Sequence, residues 1–190
     1  MNTPYVIAFV GMPGSGKGTC SDYLSEKYGW PIMHFGNMVY EEVARRGLDN
    51  VSDEKAVRKD MRDKEGPAVL AKRIGANIKK LNSKTTPVVL LDGLYSWSEY
   101  TFLSETFGDH LLVIAVTAPK SLRRQRVIDR KDSHRNYTLD QLVSREISEI
   151  EDLEKGGPIA YADYTLNNGT NNTNDLFVQL ESVLKDNQII

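Results

Sequence analysis

The sequence predicts an α/β domain: a five-stranded parallel sheet with helices on both faces, a small helical insertion and a short lid. Three observations predict it. Five short runs, residues 5–10, 31–35, 88–91, 111–117 and 164–166, are apolar nearly throughout, as strands buried on both faces are. Helical patterns lie between them. A glycine-rich stretch, residues 11–19, joins the first run to the first helical pattern.

The elements follow in order. Residues 17–28 space Cys20, Leu24 and Tyr28 by four, one face of a helix. Residues 37–85 are charged and mostly helical, with a break at Gly66-Pro67, and they separate the second and third strands. This segment is expected to form a helical subdomain on the rim of the sheet, with residues 1–36 and 86–190 as the core. Residues 138–154 place Leu139, Leu142, Val143, Ile150 and Leu153 on one inward face. Thr138 and Gln141 form a capping box there, and Gly156-Gly157-Pro158 is expected to stop the helix. A last helix follows Thr173, with Phe177, Leu180 and Leu184 inward; Trp97 is expected to pack the helix after Asp92 onto the sheet.

Bulk properties narrow the function. The chain has 190 residues, enough for one domain with a real core. A net charge of −2 gives no general attraction to nucleic acid or to an anionic membrane. The N-terminal segment lacks a basic signal-peptide region, and no stretch approaches the ~18 apolar residues of a membrane span. Cys20 is the sole cysteine, so no internal disulfide or cysteine-built metal site can form; a reducing cytoplasm fits. The expected partners are small molecules, and the chain is expected to act as a monomer or small homo-oligomer.

The stretch GMPGSGKGT follows a strand and opens a helix, the context of a P-loop. Glycines let backbone N–H groups turn inward around phosphate, and the helix N-terminus adds a dipole and free donors. Gly11, Gly14, Ser15, Gly16, Lys17, Gly18 and Thr19 are the candidate ATP contacts, with Lys17 the charge for the outer phosphates. Asp92 ends the third strand and points at the same crevice, where it holds magnesium or a magnesium-bound water, or merely caps the next turn. Arg123, Arg126 and Arg130 share one helix face. Cations so spaced repel unless an anion lies between them, and a triphosphate supplies one; a solvated basic face balanced by Asp129 and Asp132 is the alternative. Residues 131–137 leave room for a short lid, with His134 in it.

The form GxPGxGKGT, with Gly18 where the general motif has Ser or Thr, resembles adenylate kinases and their relatives. The likeness extends over EGPAVLAKR (65–73), LDGLYSWSEY (91–100), the arginine helix and GGPIAYADYTLNNGT (156–170). It implies a P-loop kinase fold with ATP and Mg2+, the metal held largely through water, with Thr19 and Asp92 as its protein ligands. It also implies that Arg126 and Arg130 begin the lid, and that Arg145 reaches across the transferred phosphate. Ala162, Asp163 and Asn168 resemble the ending of dephospho-CoA kinases, which would set Asn168 and Gly169 near adenine.

Two acceptors are compatible with that resemblance. A nucleoside monophosphate needs cations around a dianion, yet Tyr40 and Tyr95 stand where adenylate kinases carry arginines. They either line a base or pack helix against sheet; Arg45, Arg46, Arg58, Arg62 and Arg73 of the insertion could supply the missing cation, and Arg62 resembles an arginine of the adenylate-kinase-related family. A hydroxyl acceptor, as in dephospho-CoA kinase, needs a carboxylate base; Asn37 stands at that place, and Asp92, Glu41 or Glu42 would have to substitute. The nucleoside monophosphate is preferred. A P-loop protein that hydrolyses ATP to change shape is the reading outside kinases.

Overall fold

The computed structural model describes residues 3–49, 53–130, 137–170 and 172–190. Strand β1 (Tyr5–Val10) leads through the glycine-rich loop into α1 (Lys17–Tyr28). Then come β2 (Ile32–His34), α2 (Phe35–Arg45), α3 (Glu54–Glu65), α4 (Val69–Ile78), β3 (Val88–Asp92) and α5 (Trp97–Phe107). The chain closes with β4 (Leu111–Thr117), α6 (Lys120–Ile128), α7 (Leu139–Glu151), α8 (Gly156–Ala160), β5 (Tyr164–Asn167) and α9 (Thr173–Asp186). All pairings are parallel, in the order β2-β3-β1-β4-β5. The five strands fall where the apolar runs predicted them; β2 is shorter than its run because Phe35 already belongs to α2.

Strand β1 explains why its run is continuous. Successive side chains point to opposite faces, and both faces are covered. Val6, Ala8 and Val10 join a core with Phe35, Val39, Met61, Leu70 and Ile74 from the three inserted helices. Ile7 and Phe9 join a second core with Cys20 and Leu24 of α1 and Leu176, Leu180 and Leu184 of α9. The inserted helices thus share one core with the sheet. Burial pushes the Cys20 thiol up to about 12, so it behaves as a small apolar residue.

Three expectations are corrected. The capping box at Thr138 and Gln141 forms, and Leu142 and Leu153 are buried as expected, but Glu146 and Glu149 take places on the inward face that the apolar pattern gave to Leu139 and Ile150. Leu142, Glu146 and Glu149 are buried, whereas Leu139 and Ile150 are 50% and 53% exposed. Gly156-Gly157-Pro158 does not end helical structure: the chain reverses earlier, at Glu154 (φ 51), and these residues open α8. Pro158 is tolerated because the first turn of a helix has no intrahelical acceptor for its missing N–H. Trp97 does not pack onto the sheet; it is 38% exposed and stacks on Tyr100, with Tyr161 edge-on.

Candidate active site

The loop between β1 and α1 is shaped by contacts that exclude side chains. A Cβ on Gly14 would lie 2.2 Å from the Arg123 carbonyl, and one on Gly16 would lie 2.3 Å from Asn168 Nδ2. Both glycines also hold positive φ, 75° and 110°. Ser15 Oγ is buried inside this loop without a hydrogen-bond partner among the described residues. An orphaned hydroxyl is costly unless something polar reaches it, and phosphate oxygen is such a group. The Lys17 ammonium donates to the carbonyls of Gly11 (2.7 Å) and Met12 (3.3 Å). Burial, and then repulsion from Lys155, lowers its pKa to about 7.

Asp92 ends β3 beside β1, in register with Phe9 and with His34 of β2. It therefore stands at the carboxyl edge of the sheet, where ligands of open parallel sheets bind. Its Oδ2 lies 3.3 Å from His34 Nδ1 and 3.8 Å from where a Cβ on Gly18 would be. Burial opposes the charge of this carboxyl, but the His34 hydrogen bond and Lys17 outweigh it and hold the pKa below the usual range.

Opposite the loop, α7 and α8 supply a buried charge cluster. Arg145 Nε donates to Glu149 Oε1 at 2.9 Å, and Lys155 Nζ to Glu149 Oε2 at 2.6 Å. Burial works against the Glu149 carboxylate, yet Lys155 and Arg145 bring its pKa to about 2. Arg145 also donates to the Tyr137 hydroxyl. Lys155 stands over the Tyr95 ring, 4.5 Å from its centroid.

These groups line a cleft of about 140 Å³ together with Gly14, Lys17, Asp92 and Arg130. Two further clefts adjoin it. One runs along α3 and α7 past Glu54, Arg58 and Ser148. The other is walled by Phe35, Tyr40 and Tyr95 with Arg58. Tyr137 and Arg145 line all three, so Arg145 stands between the phosphate loop and an aromatic chamber that also holds Arg58, paired with Glu54 at 3.1 Å.

The sequence-predicted residues divide accordingly. Lys17, Asp92, Tyr95, Arg130 and Arg145 meet at the main cleft, and Tyr40 joins Tyr95 in the chamber. Thr19 is half-buried on the first turn of α1. The arginine face of α6 is split. Arg123 is buried, donating to Pro13 O (3.0 Å) and Glu146 (2.6 Å), so it braces the loop from behind. Arg126 donates to the Asn168 and Thr170 carbonyls at 3.1 and 2.6 Å. Asn168 in turn donates to Ser15 O at 2.8 Å, under the loop, and Gly169 follows beside Asn167 and Pro119. Asn37 is exposed on α2 and does not line these clefts. Arg62 donates to the fully buried Glu99 at 2.8 Å, and Glu99 also accepts from Tyr95 N and Ser96 N. Arg62 therefore holds the Tyr95 loop and is not at the cleft. His134 and lid residues 131–136 lie outside the described residues.

Sequence reasoning missed Glu149, Lys155 and Tyr137, and named Arg58 only as one of five insertion arginines that could meet an acceptor phosphate. A carboxylate and a lysine six residues apart across a helix end read as solvated charges. The Ser96–Glu99 capping box did have a signal, the S-x-x-E spacing itself.

The family model described as an AAA domain matches residues 10–143. A UPF0200 protein of Methanosarcina acetivorans is 31% identical over 96% of this chain and 97% of its own length. The chain belongs to the UPF0200 family. A UPF0200/UPF0201 protein of Archaeoglobus fulgidus is 35% identical over 94% of the chain, which spans about half (54%) of that relative. Among solved structures, a shikimate kinase from Acinetobacter baumannii in complex with shikimate superposes with TM-score 0.60 at 17% identity, covering 100% of this chain and 97% of that one. A gluconokinase from Sinorhizobium meliloti gives 0.59 at 15% identity, covering 98% and 97%. The chain thus has a P-loop kinase-like fold.

Proposed function

We propose that the chain is an ATP-dependent phosphotransferase acting on a small nucleotide, a nucleoside monophosphate kinase. The observation that carries this is the position of Arg145, between the P-loop cleft and the Tyr40–Tyr95–Arg58 chamber. ATP phosphates would lie on the loop, with Lys17 at the outer ones and Ser15 Oγ satisfied by phosphate oxygen. The ionised Asp92 over the first turn of α1, with Thr19 there, fits Mg2+ held largely through water and phosphate; among the described residues no three His, Cys, Asp or Glu side chains gather as a cage. Magnesium, when bound, neutralises phosphate charge. Arg126, Asn168 and Gly169 would flank the adenine side, and Arg130 would meet phosphate from the lid side.

In the chamber, a base would stack between Tyr40 and Tyr95, and its monophosphate would meet Arg58 and Arg145. That phosphate is already largely ionised at neutral pH, so positioning and charge stabilisation are the whole requirement. Arg145, oriented by Glu149 and Tyr137, would stabilise the phosphoryl group in passage. Residues 37–85 would act as the acceptor-binding part and residues 131–137 as the lid. No described helix is long and apolar enough to cross a membrane; we place the protein in the cytoplasm as a monomer or small homo-oligomer. A second reading, transfer to a hydroxyl as in dephospho-CoA kinase, draws support from Asp92, a carboxylate kept ionised at the cleft.

Phosphorus NMR with ATP and magnesium, against separate nucleoside monophosphates, dephospho-CoA and no acceptor, tests the assignment. A new diphosphate signal with one monophosphate is expected. Transfer only to dephospho-CoA would move the reading to a hydroxyl acceptor. Equal ADP release with and without acceptor would make the protein an ATPase.

A further inference from the structure

Lys155 is not used by the function as stated, and its surroundings are unusual for a lysine. Its side chain is 1% exposed, yet it lines the P-loop cleft with Lys17 and Asp92. An ammonium carries three donors. Among the described residues its hydrogen-bond partner is Glu149 Oε2, at 2.6 Å, and the Tyr95 ring face lies 4.5 Å away. That arrangement fixes the head group at the wall where the loop cleft meets the acceptor chamber. Glu149 is shared, since its other oxygen takes Arg145. One carboxylate therefore aims two cations at the same space.

Charge bookkeeping gives the arrangement a purpose. Lys17, Arg130, Arg145 and Lys155 line the cleft, against Asp92 and Glu149. Cations outnumber carboxylates in a cleft where Lys155 and Glu149 are almost fully buried, which is unfavourable until an anion enters. Burial lowers the Lys155 pKa despite Glu149, and Lys155 is the first charge that depresses Lys17. If Lys155 served only to neutralise Glu149, Arg145 would already suffice, and its head group would have no reason to reach the cleft.

We propose that Lys155 is a second phosphate-binding lysine, contacting the terminal phosphate of bound ATP from the side opposite Lys17. The inference rests on the ATP-binding half of the proposed function and is independent of the acceptor. It assigns the two lysines different tasks. Lys17 belongs to the loop and holds the phosphate chain as a whole. Lys155 recognises the group that distinguishes ATP from ADP.

The test is equilibrium binding, without any acceptor, of the magnesium complexes of ADP and of the non-hydrolysable analogue AMPPNP. Wild-type protein is expected to prefer AMPPNP. Lys155→Met should weaken AMPPNP by about 10- to 100-fold, the worth of one charge-assisted hydrogen bond, and ADP by less than about 3-fold. The single variant leaves Glu149 buried with one cation fewer, so the double variant Lys155→Met/Glu149→Gln is measured beside it. The glutamine carbonyl can still accept from Arg145. If Lys155 is a phosphate ligand, the double variant keeps its fold and still fails to prefer AMPPNP. Recovery of the preference in the double variant would mean that Lys155 only neutralises Glu149, and would overturn the proposal. So would an unchanged preference in Lys155→Met, or a wild-type protein that binds both nucleotides equally. Wild-type protein that binds neither would overturn the kinase reading as well.

Discussion

Helices α1 and α7 border the same cleft but bury different chemistry. α1 turns Cys20 and Leu24 into the core and brings Lys17 to the cleft from its first turn. α7 buries Leu142, Glu146 and Glu149, while Leu139, Ile147 and Ile150 stay about half exposed, at 50%, 47% and 53%. An inward glutamate survives only with partners, because an unpaired buried carboxylate costs several kcal/mol. Glu146 takes Arg123 and Arg124, and Glu149 takes Arg145 and Lys155. So α1 is seated by apolar burial and a backbone loop, whereas α7 is seated by counter-ions. The difference teaches that the face of α7 is chosen by the charges the cleft requires, against the helix's own apolar stripe.

The largest expected effect falls on the α1 side and on activity alone. Lys17→Ala should lower phosphoryl transfer on the order of 10³-fold. Its melting temperature should hold or rise, because burial already depresses the charge of this lysine. A variant with near-normal turnover would remove the P-loop from the mechanism.

On the α7 side the order reverses, and stability responds first. Glu146→Ala strands Arg123, which is 8% exposed, and should cost about 3–5 kcal/mol by denaturant unfolding. Glu146→Leu with Arg123→Met should recover most of that loss, since an apolar pair replaces a buried ion pair and Arg124 can turn to solvent. If the single and double variants are equally unstable, ion pairing is not what seats α7.

Acid should separate the two helices as well. The Glu149 carboxyl is held at about 2, below its ordinary value of 4.5. A depressed carboxyl contributes stability that is fully present above its unfolded pKa and is lost as pH falls toward the folded one. Wild-type protein should therefore lose stability between about pH 4.5 and pH 2. In Lys155→Met/Glu149→Gln that part of the slope should disappear, as read from urea unfolding across the window. An unaltered slope would mean that other carboxylates carry the acid response.

The same contrast explains what could be read before folding. The strand runs, the P-loop, Asp92 at a strand end and the Thr138 capping box are local patterns, each contained within a few residues. Arg145 was found by its resemblance to a family position. Lys155 was not found, because its meaning depends on Glu149 across a helix end and on Tyr95 sixty residues earlier in the chain. Arg62 misled for the same reason. It was singled out among the insertion's arginines by a family likeness, and only the fold reveals Glu99, fully buried, as its partner. Over residues 138–154 apolar periodicity placed Leu142 and Leu153 correctly but not Leu139 and Ile150, because it assumes that apolar groups alone choose the inward face.

The smallest expected effect tests that last point directly. Ile150 lies at the C-terminal end of the exposed apolar stripe, two turns from Leu142 and one residue from Glu149. If α7 is oriented by its ion pairs, Ile150→Asn changes a half-exposed contact and should alter stability by no more than about 0.5 kcal/mol. Leu142→Asn, with the same change of chemistry on the buried face, should cost several times as much, because the amide loses water without gaining a partner. Comparable losses from the two would mean that the stripe is covered in solution, and that α7 is seated from both sides.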